Sequence, residues 1–340
     1  MIKEALSRIV SRNDLTRQEA REVMGEIMRG EATAAQIGAF LTGLRMKGET
    51  VEEIAGCVEA MRNSAVKVRT KNDAIVDTCG TGGDGAGTFN ISTTAAFVAA
   101  GAGVPIAKHG NRSVSSRCGS ADLLQALGVN LEIGPEKAAL CIDEVGIGFL
   151  FAPLLHPAMK HALGPRRDIG LRTIFNLLGP LANPAGARRQ LLGVYDGELT
   201  ELIGSVLLAL GAEHAMVVHG AGGLDELSTA GVSKVSLVRE GSIETTFLDP
   251  ADFGLPLASV EELKGGEAGE NAAITRAILQ GQSGPKRDIV LLNAAAVLIA
   301  GGKAVSFEEG LIAAAESIDS GKAFRKLEQL VEFTQSEDRG

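Results

Sequence analysis

The chain has no tryptophan and a single tyrosine in 340 residues, so it lacks the aromatic platforms on which single-stranded nucleic acid stacks. Basic charge is also short: 33 Lys and Arg stand against 42 Asp and Glu, a net charge of -9. Such a chain has no overall field to attract DNA or anionic lipid, and no nucleic-acid or membrane partner is expected. An anionic ligand must be met locally, by backbone N–H groups, a few basic side chains or a metal ion. Cysteine is sparse. Cys57, Cys79, Cys118 and Cys141 form no Cys-x-x-Cys pair, which argues against a zinc or thioredoxin motif and fits reduced thiols in the cytoplasm. Long apolar runs are missing as well: the longest, from Ile289 to Gly302, contains Asn293 and is too short to cross a bilayer. The first residues, Met1-Ile2-Lys3-Glu4, meet charge at once, so no apolar leader is expected.

What the chain has in plenty is glycine, 43 residues, about twice the usual share. Its length suggests about two domains. The first reads as helical. Three capping boxes, Thr16-x-x-Glu19, Thr33-x-x-Gln36 and Thr50-x-x-Glu53, each precede apolar residues at spacings of three and four. With an earlier helix carrying Ile2, Leu6, Ile9 and Val10, they predict a small bundle over residues 1–68. Its Met and Phe stripe serves as core, and one face can serve as a dimer interface. From residue 69 the pattern alternates. Ile75-Val76, Val104 to Ala107, Gly146 to Phe151, Leu191 to Val194 and Ala215 to Val218 read as buried strands separated by helices, which implies a mainly parallel sheet flanked by helices. Ser233 to Phe247 alternates with period two about Glu240-Gly241 and predicts a hairpin. Residues 285 to about 334 read as Ala-rich helix. The segment 157–184 is no strand-helix unit and is expected to rejoin the helical bundle, leaving 69–340 otherwise as an α/β domain.

Four motifs carry chemistry. The strongest is Asp77-Thr78-Cys79-Gly80-Thr81-Gly82-Gly83-Asp84, followed by Thr88-Phe89-Asn90-Ile91-Ser92-Thr93. A strand, a glycine loop and a helix start in that order offer backbone donors and a helix N-terminus to an anion. No Walker lysine follows and the spacing is not Gly-x-Gly-x-x-Gly, so neither an ATPase P-loop nor a dinucleotide fold is indicated. The second is Lys108-His109-Gly110-Asn111-Arg112 with Ser113, Ser115, Ser116 and Ser120 beyond, a mix of point charge and small hydroxyls suited to phosphate. The third, Asp225-Glu226 on a glycine loop, suits Mg2+, which takes few carboxylates and shares its other positions with water and phosphate. The fourth, Gly164-Pro165-Arg166-Arg167-Asp168, reads as a charged turn whose Arg166 can fork a carboxylate.

These motifs, together with Arg172-Thr173-Ile174-Phe175-Asn176-Leu177-Leu178-Gly179-Pro180-Leu181, resemble the anthranilate phosphoribosyltransferase family over nearly the whole chain. The nearest departure is Asp168, where many relatives have Glu. The resemblance implies a fold of the nucleoside phosphorylase/phosphoribosyltransferase kind, with a small helical N-terminal domain and a larger α/β domain. It implies transfer of phosphoribose from 5-phosphoribosyl-1-pyrophosphate (PRPP) to anthranilate in tryptophan biosynthesis, with Mg2+, by a homodimer joined through the helical domain. By matching positions, Gly80, Gly82, Gly83, Asp84, Thr88, Asn90, Ile91, Ser92, Thr93, Lys108, Ser115, Ser116 and Ser120 would bind the donor. Ser92, Asp225 and Glu226 would bind metal. Gly80, His109, Asn111, His156 and Arg166 would line the anthranilate path, with His109 and Arg166 positioning the substrate. No catalytic base is evident. Two rival readings, a pyrimidine nucleoside phosphorylase and a non-enzymatic nucleic-acid-binding relative, fit the loops and the acidic charge less well.

Overall fold

The structure, a computed structural model, describes residues 1–113 and 117–337. Helix α1 (Ile2–Val10) leads into α2 (Arg17–Arg29), α3 (Ala34–Lys47) and α4 (Val51–Ser64). All three capping boxes close: Thr16, Thr33 and Thr50 accept the N–H of Glu19, Gln36 and Glu53, whose side chains return to the cap backbone. The apolar stripes then meet, with Met24, Ile27, Phe40, Leu41, Leu44 and Ile54 fully buried.

Alternation follows with β1 (Val76–Gly80), α5 (Ile91–Gly101), β2 (Ile106–Gly110), α6 (Ser120–Leu127), α7 (Pro135–Leu140) and β3 (Ile147–Phe151). It is interrupted by α8 (Ala152–Leu155), α9 (Lys160–Ile169) and α10 (Phe175–Leu181). It resumes with β4 (Arg189–Gly193), α11 (Leu199–Ala209), β5 (His214–His219), and the hairpin β6 (Ser233–Arg239) and β7 (Ser242–Leu248). The chain closes with α12 (Ala268–Leu279), α13 (Pro285–Ala300), α14 (Phe307–Asp319) and α15 (Lys322–Gln335). The hairpin turns through Glu240 and Gly241, with φ of 52° and 76°, the left-handed pair that matches strand twist.

Among the described residues seven strands form one sheet in the order β3-β2-β1-β4-β5-β6-β7. The first five are parallel, and β6 and β7 are antiparallel. The order reverses at β1: β2 and β3 lie on one side, β4 and β5 on the other. Sheets of this kind hold ligands beyond the carboxyl ends of their strands at such a reversal. One apolar cluster fills the face covered by α5 and α13. A second joins α1–α4, α9 and α10 to the opposite face through Cys79, Leu192 and Val217, with α11. α9 packs on α2 and α3, and α10 on α4.

Three local expectations are revised. β1 and β2 run on to Gly80 and Gly110, so Asp77 to Gly80 and Lys108 to Gly110 are strand residues rather than loop. Their polar side chains hide a period that parallel pairing to β4 and β3 enforces. The Gly164-Pro165-Arg166-Arg167-Asp168 segment is no turn but part of α9, with Pro165 inside the helix. Packing overrides propensity there: Ala162 is fully buried, and His161 lies so close to Gly30 that a Cβ would come within 2.7 Å of its ring. Helix α12 lies in a stretch where the residues announce no element.

Candidate active site

The carboxyl ends of β1 and β4 finish on register partners, Gly80 and Gly193. No side chain is tolerable at either. A Cβ on Gly193 would lie 1.6 Å from the Asp225 carbonyl oxygen, and one on Gly80 would lie 2.2 Å from the Asp225 Oδ2. The two bare positions form a slot into which the loop after β5 folds. Asn293 on α13 fixes that loop from behind. Its Oδ1 accepts the Leu227 N–H at 3.0 Å, and its Nδ2 donates to the Leu227 carbonyl at 2.8 Å. The polar residue within the longest apolar run therefore sets the position of the two acidic residues immediately before Leu227.

Asp225 and Glu226 face the glycine loop and the start of α5. Asp225 Oδ2 accepts the Gly82 N–H at 2.7 Å, and Glu226 Oε1 accepts the Ser92 N–H at 3.1 Å. Burial pushes both carboxyls well above the ordinary carboxylate range. Repulsion from Asp84 on Asp225, and from Asp225 on Glu226, adds to the rise. The cation that offsets the rise at Glu226 is Lys108, buried on β2. Its Nζ donates to the Thr78 carbonyl at 2.5 Å and to Ser92 Oγ at 3.3 Å. Burial pulls its pKa down, while Asp77 opposes that shift. Crowded hard oxygens with one lysine are a donor set that Mg2+ fits. No three Asp, Glu, His or Cys side chains among the described residues close into a full cage. Mg2+ needs none, because water and substrate phosphate complete its shell.

The glycine loop takes left-handed φ at Gly82 and Gly83, 66° and 77°, which suits glycine alone. Its far end is tied down where the Phe89 N–H meets the Leu263 carbonyl at 3.2 Å and the Gly265 N–H meets the Gly87 carbonyl at 3.0 Å. Thr88 pairs with Lys264 beside these bonds. Asn90 donates from Nδ2 to the Cys118 carbonyl at 3.1 Å, and its Oδ1 accepts from Asn271 at 3.0 Å. It thus links the two phosphate-type loops. Ile91 lies in the core with its N–H on the Phe89 carbonyl, and the buried Thr93 hydroxyl has no protein partner. Beyond β2, Asp122 gathers the Ser113 and Gly119 N–H groups at 3.0 and 2.9 Å and pairs with Arg112 at 2.9 Å. Ser120 Oγ donates to the Asn111 carbonyl at 3.3 Å. Ser115 and Ser116 lie outside the described residues.

His109 and His156 meet with ring centroids 5.0 Å apart. The backbones of Gly179 and Ala182, respectively, act on the two rings in the direction that raises their pKa values. Each ring leaves a buried Nε2 without a partner. Burial lowers their pKa values to about 3 and about 4, so both rings are neutral. Arg166 on α9 stands over the Phe175 ring at 4.8 Å and makes no ion pair to a carboxylate among the described residues. Burial lowers its pKa from the ordinary arginine value.

Three residues that shape the site were given no role by the sequence, and a fourth, Arg172, was quoted only within a longer motif. Asn183 joins Asp77 Oδ2 and the Ala107 carbonyl, each at 2.8 Å. Asn271 and Asn293 brace the loops. Arg172 donates to the Gly83 carbonyl. Their partners are remote in sequence, as with Asn90 and Asn271, 181 positions apart.

Fold and site together define a glycosyl transferase of two parts. Residues 3–65 match the helical bundle domain of the glycosyl transferase family, and residues 72–324 match its a/b domain. The chain belongs, within that family, to the anthranilate phosphoribosyltransferases. The enzyme of that name from Pelotomaculum thermopropionicum is 58% identical over 334 residues, 98% of this chain and 97% of its own. That from Moorella thermoacetica is 56% identical over 336 residues, 99% of each. Among solved structures, anthranilate phosphoribosyltransferase from Thermus thermophilus superposes with a TM-score of 0.93 at 45% identity, over 98% of this chain and 99% of that one. The Saccharomyces cerevisiae enzyme in complex with PRPP and Mg superposes with a TM-score of 0.90 at 29% identity, over 99% of this chain and 98% of that one.

Proposed function

We propose that the chain transfers the phosphoribosyl group of PRPP to anthranilate, giving N-(5-phosphoribosyl)anthranilate and pyrophosphate, in tryptophan biosynthesis. The observation that carries this reading is the Gly80–Gly193 slot, which brings a carboxylate pair, a glycine loop and a helix start together at the sheet's reversal. In the reaction the C1–O bond of the donor breaks, and pyrophosphate leaves with the electron pair. The anthranilate nitrogen then forms the C1–N bond and loses a proton. Negative charge grows on the leaving group, where the N–H groups of the glycine loop and the start of α5 act. Gly80, Gly82, Gly83, Asp84 and Thr88 form the donor's cradle, with Asn90, Ser92 and Lys108 behind it. Ser92, Asp225 and Glu226 would hold Mg2+, which when bound supplies positive charge to the pyrophosphate.

Arg166 holds the anthranilate carboxylate, supported by a guanidinium that no carboxylate among the described residues neutralises. His109, His156 and Asn111 flank the path, and two neutral rings with bare Nε2 atoms suit an amine that must stay neutral to attack. That amine is nucleophilic as it stands, so positioning supplies much of the rate. Residues 1–68 with about 157–184 form the helical domain, a partition supported by α9 lying on α2 and α3. A homodimer through this domain is supported by exposed Val10, Met46 and Leu163. A cytoplasmic location is supported by cysteines that form no disulfide among the described residues. The test of the whole reading is to mix protein, anthranilate, PRPP and Mg2+ and follow anthranilate fluorescence. Loss of signal with release of pyrophosphate is expected; a signal that stays constant at high enzyme concentration would sink it.

A further inference from the structure

Arg172 occupies a short link that is fixed at both ends. Gly170, with φ of 64°, caps α9, and the Thr173 N–H is held by Asn176 Oδ1 at 3.0 Å ahead of α10. From this link, which belongs to the helices packed on the bundle, the side chain crosses to the sheet. There its guanidinium donates to the Gly83 carbonyl and lies over the Tyr195 ring, 4.3 Å from the centroid. Gly83 faces it so closely that a Cβ would sit 3.1 Å from Nη2. Tyr195 is itself tied to the same loop, its N–H donating to Thr81 Oγ1 at 3.1 Å. Thus the glycine loop is gripped on one side by Asp225 at the Gly82 N–H and on the other by Arg172 at the next residue's carbonyl. A glycine-rich segment has little conformational preference of its own. Holding the Gly83 carbonyl fixes the orientation of the peptide unit between Gly83 and Asp84, and so the direction of the Asp84 N–H.

We propose that Arg172 is a positioning residue for the phosphoribosyl donor. Braced on Tyr195, it sets the glycine loop so that its N–H groups meet the donor's phosphates. The inference rests on the reading of that loop as the donor's cradle. Arg suits the task better than Lys because a planar guanidinium can stack on a ring and donate in its own plane at once.

The test is steady-state kinetics on the full-length protein, with each substrate varied, for R172A, R172K, Tyr195→Leu and Gly83→Val. R172A should raise the KM for PRPP roughly tenfold or more, the order expected for a lost charged hydrogen bond, with the KM for anthranilate within about twofold. R172K should recover part of the loss, and Tyr195→Leu should show a smaller loss in the same direction. Tyr195 is the chain's one tyrosine and there is no tryptophan, so tyrosine emission reports on this contact alone. Emission of the ligand-free protein should differ between wild type and R172A, and identical spectra would overturn the proposal. So would an unchanged PRPP KM in R172A, or an equal rise in both KM values. If Gly83→Val raises the PRPP KM while R172A does not, the cradle stands and Arg172 has no part in it. If neither variant changes it, the cradle reading itself is lost. Thermal melting checks folding. Should R172A melt early, R172K keeps the charge and the stem and carries the same comparison.

Discussion

At the scale of single residues, the site consists of groups whose charge state is set by burial. Arg166 is a guanidinium over the Phe175 ring, with no anion to pair it among the described residues. Replacing it by Ala should cost anthranilate binding about 1.5–3 kcal/mol, or roughly 10- to 150-fold in KM, with PRPP affected little. Kinetics with each substrate varied decide the matter, and unchanged kcat and anthranilate KM would remove Arg166 from the site. His109 and His156 titrate in the opposite sense to a paired histidine. Their folded pKa values, about 3 and about 4, lie below the unfolded one, so stability is whole above the unfolded histidine pKa and drains away as pH falls toward the folded values. Each ring contributes a slope of up to about 1.4 kcal/mol per pH unit in that window. Denaturant titrations between neutral and mildly acid pH should show wild type losing stability faster than His109→Gln with His156→Gln. Parallel slopes would mean that the rings are protonated in the folded protein. At this scale the sequence was legible where chemistry is dense in one stretch, as at Lys108 to Arg112. It was illegible at Asn183, Asn271 and Asn293, because a buried amide acquires its meaning from partners that only folding brings near.

Among the elements, helices with caps declared themselves and strands with polar ends did not. Thr16, Thr33 and Thr50 each combine a local hydroxyl with a reciprocal partner three residues on, a signal that needs nothing from the rest of the chain. The ends of β1 and β2 are polar because they reach the site, and that blurs the pattern by which a strand is read. α9 was hidden for a different reason: its Pro165 speaks against helix, and only contact with the bundle outweighs it. The element that most constrains the site is the paired strand end at Gly80 and Gly193. Gly193→Ala would drive a methyl group to 1.6 Å from the Asp225 carbonyl oxygen. The loop carrying Asp225 and Glu226 must then move, and a displacement of that order costs about a hundredfold in rate. kcat should fall by that amount while circular dichroism and sheet content stay as in wild type. Wild-type kcat in the variant would show that the slot does not set the acidic pair.

For the molecule as a whole, the problem is electrostatic: a chain of net charge -9 has to take up a polyanion. Lys108 is committed to Thr78 and Ser92, and Arg112 to Asp122, so protein cations alone do not offset pyrophosphate. On the proposed reading the acidic pair works in company with a cation. Asp225→Asn with Glu226→Gln should lower activity by orders of magnitude or demand far more Mg2+ to restore it. Initial rates against Mg2+ at saturating substrates measure this, and superimposable curves for wild type and variant would leave the pair a purely structural part as acceptors for the Gly82 and Ser92 N–H groups. The alternation of strands and helices was legible across the chain because it is written in local apolar runs. What could not be read was that the helical bundle shares one core with a face of the sheet, since that core is assembled from Phe40, Leu178 and Val217, far apart along the chain.

That shared core has a consequence for how the protein is made. Helices α1–α4 end at Ser64, and α9 begins only at Lys160. At the usual speed of synthesis, about 5–20 residues per second, the ribosome needs on the order of 5–20 seconds to deliver the helices that complete the bundle. Throughout that interval the first four helices carry an apolar face whose covering is still unmade, which makes them a natural client for the chaperones that wait at the ribosomal exit.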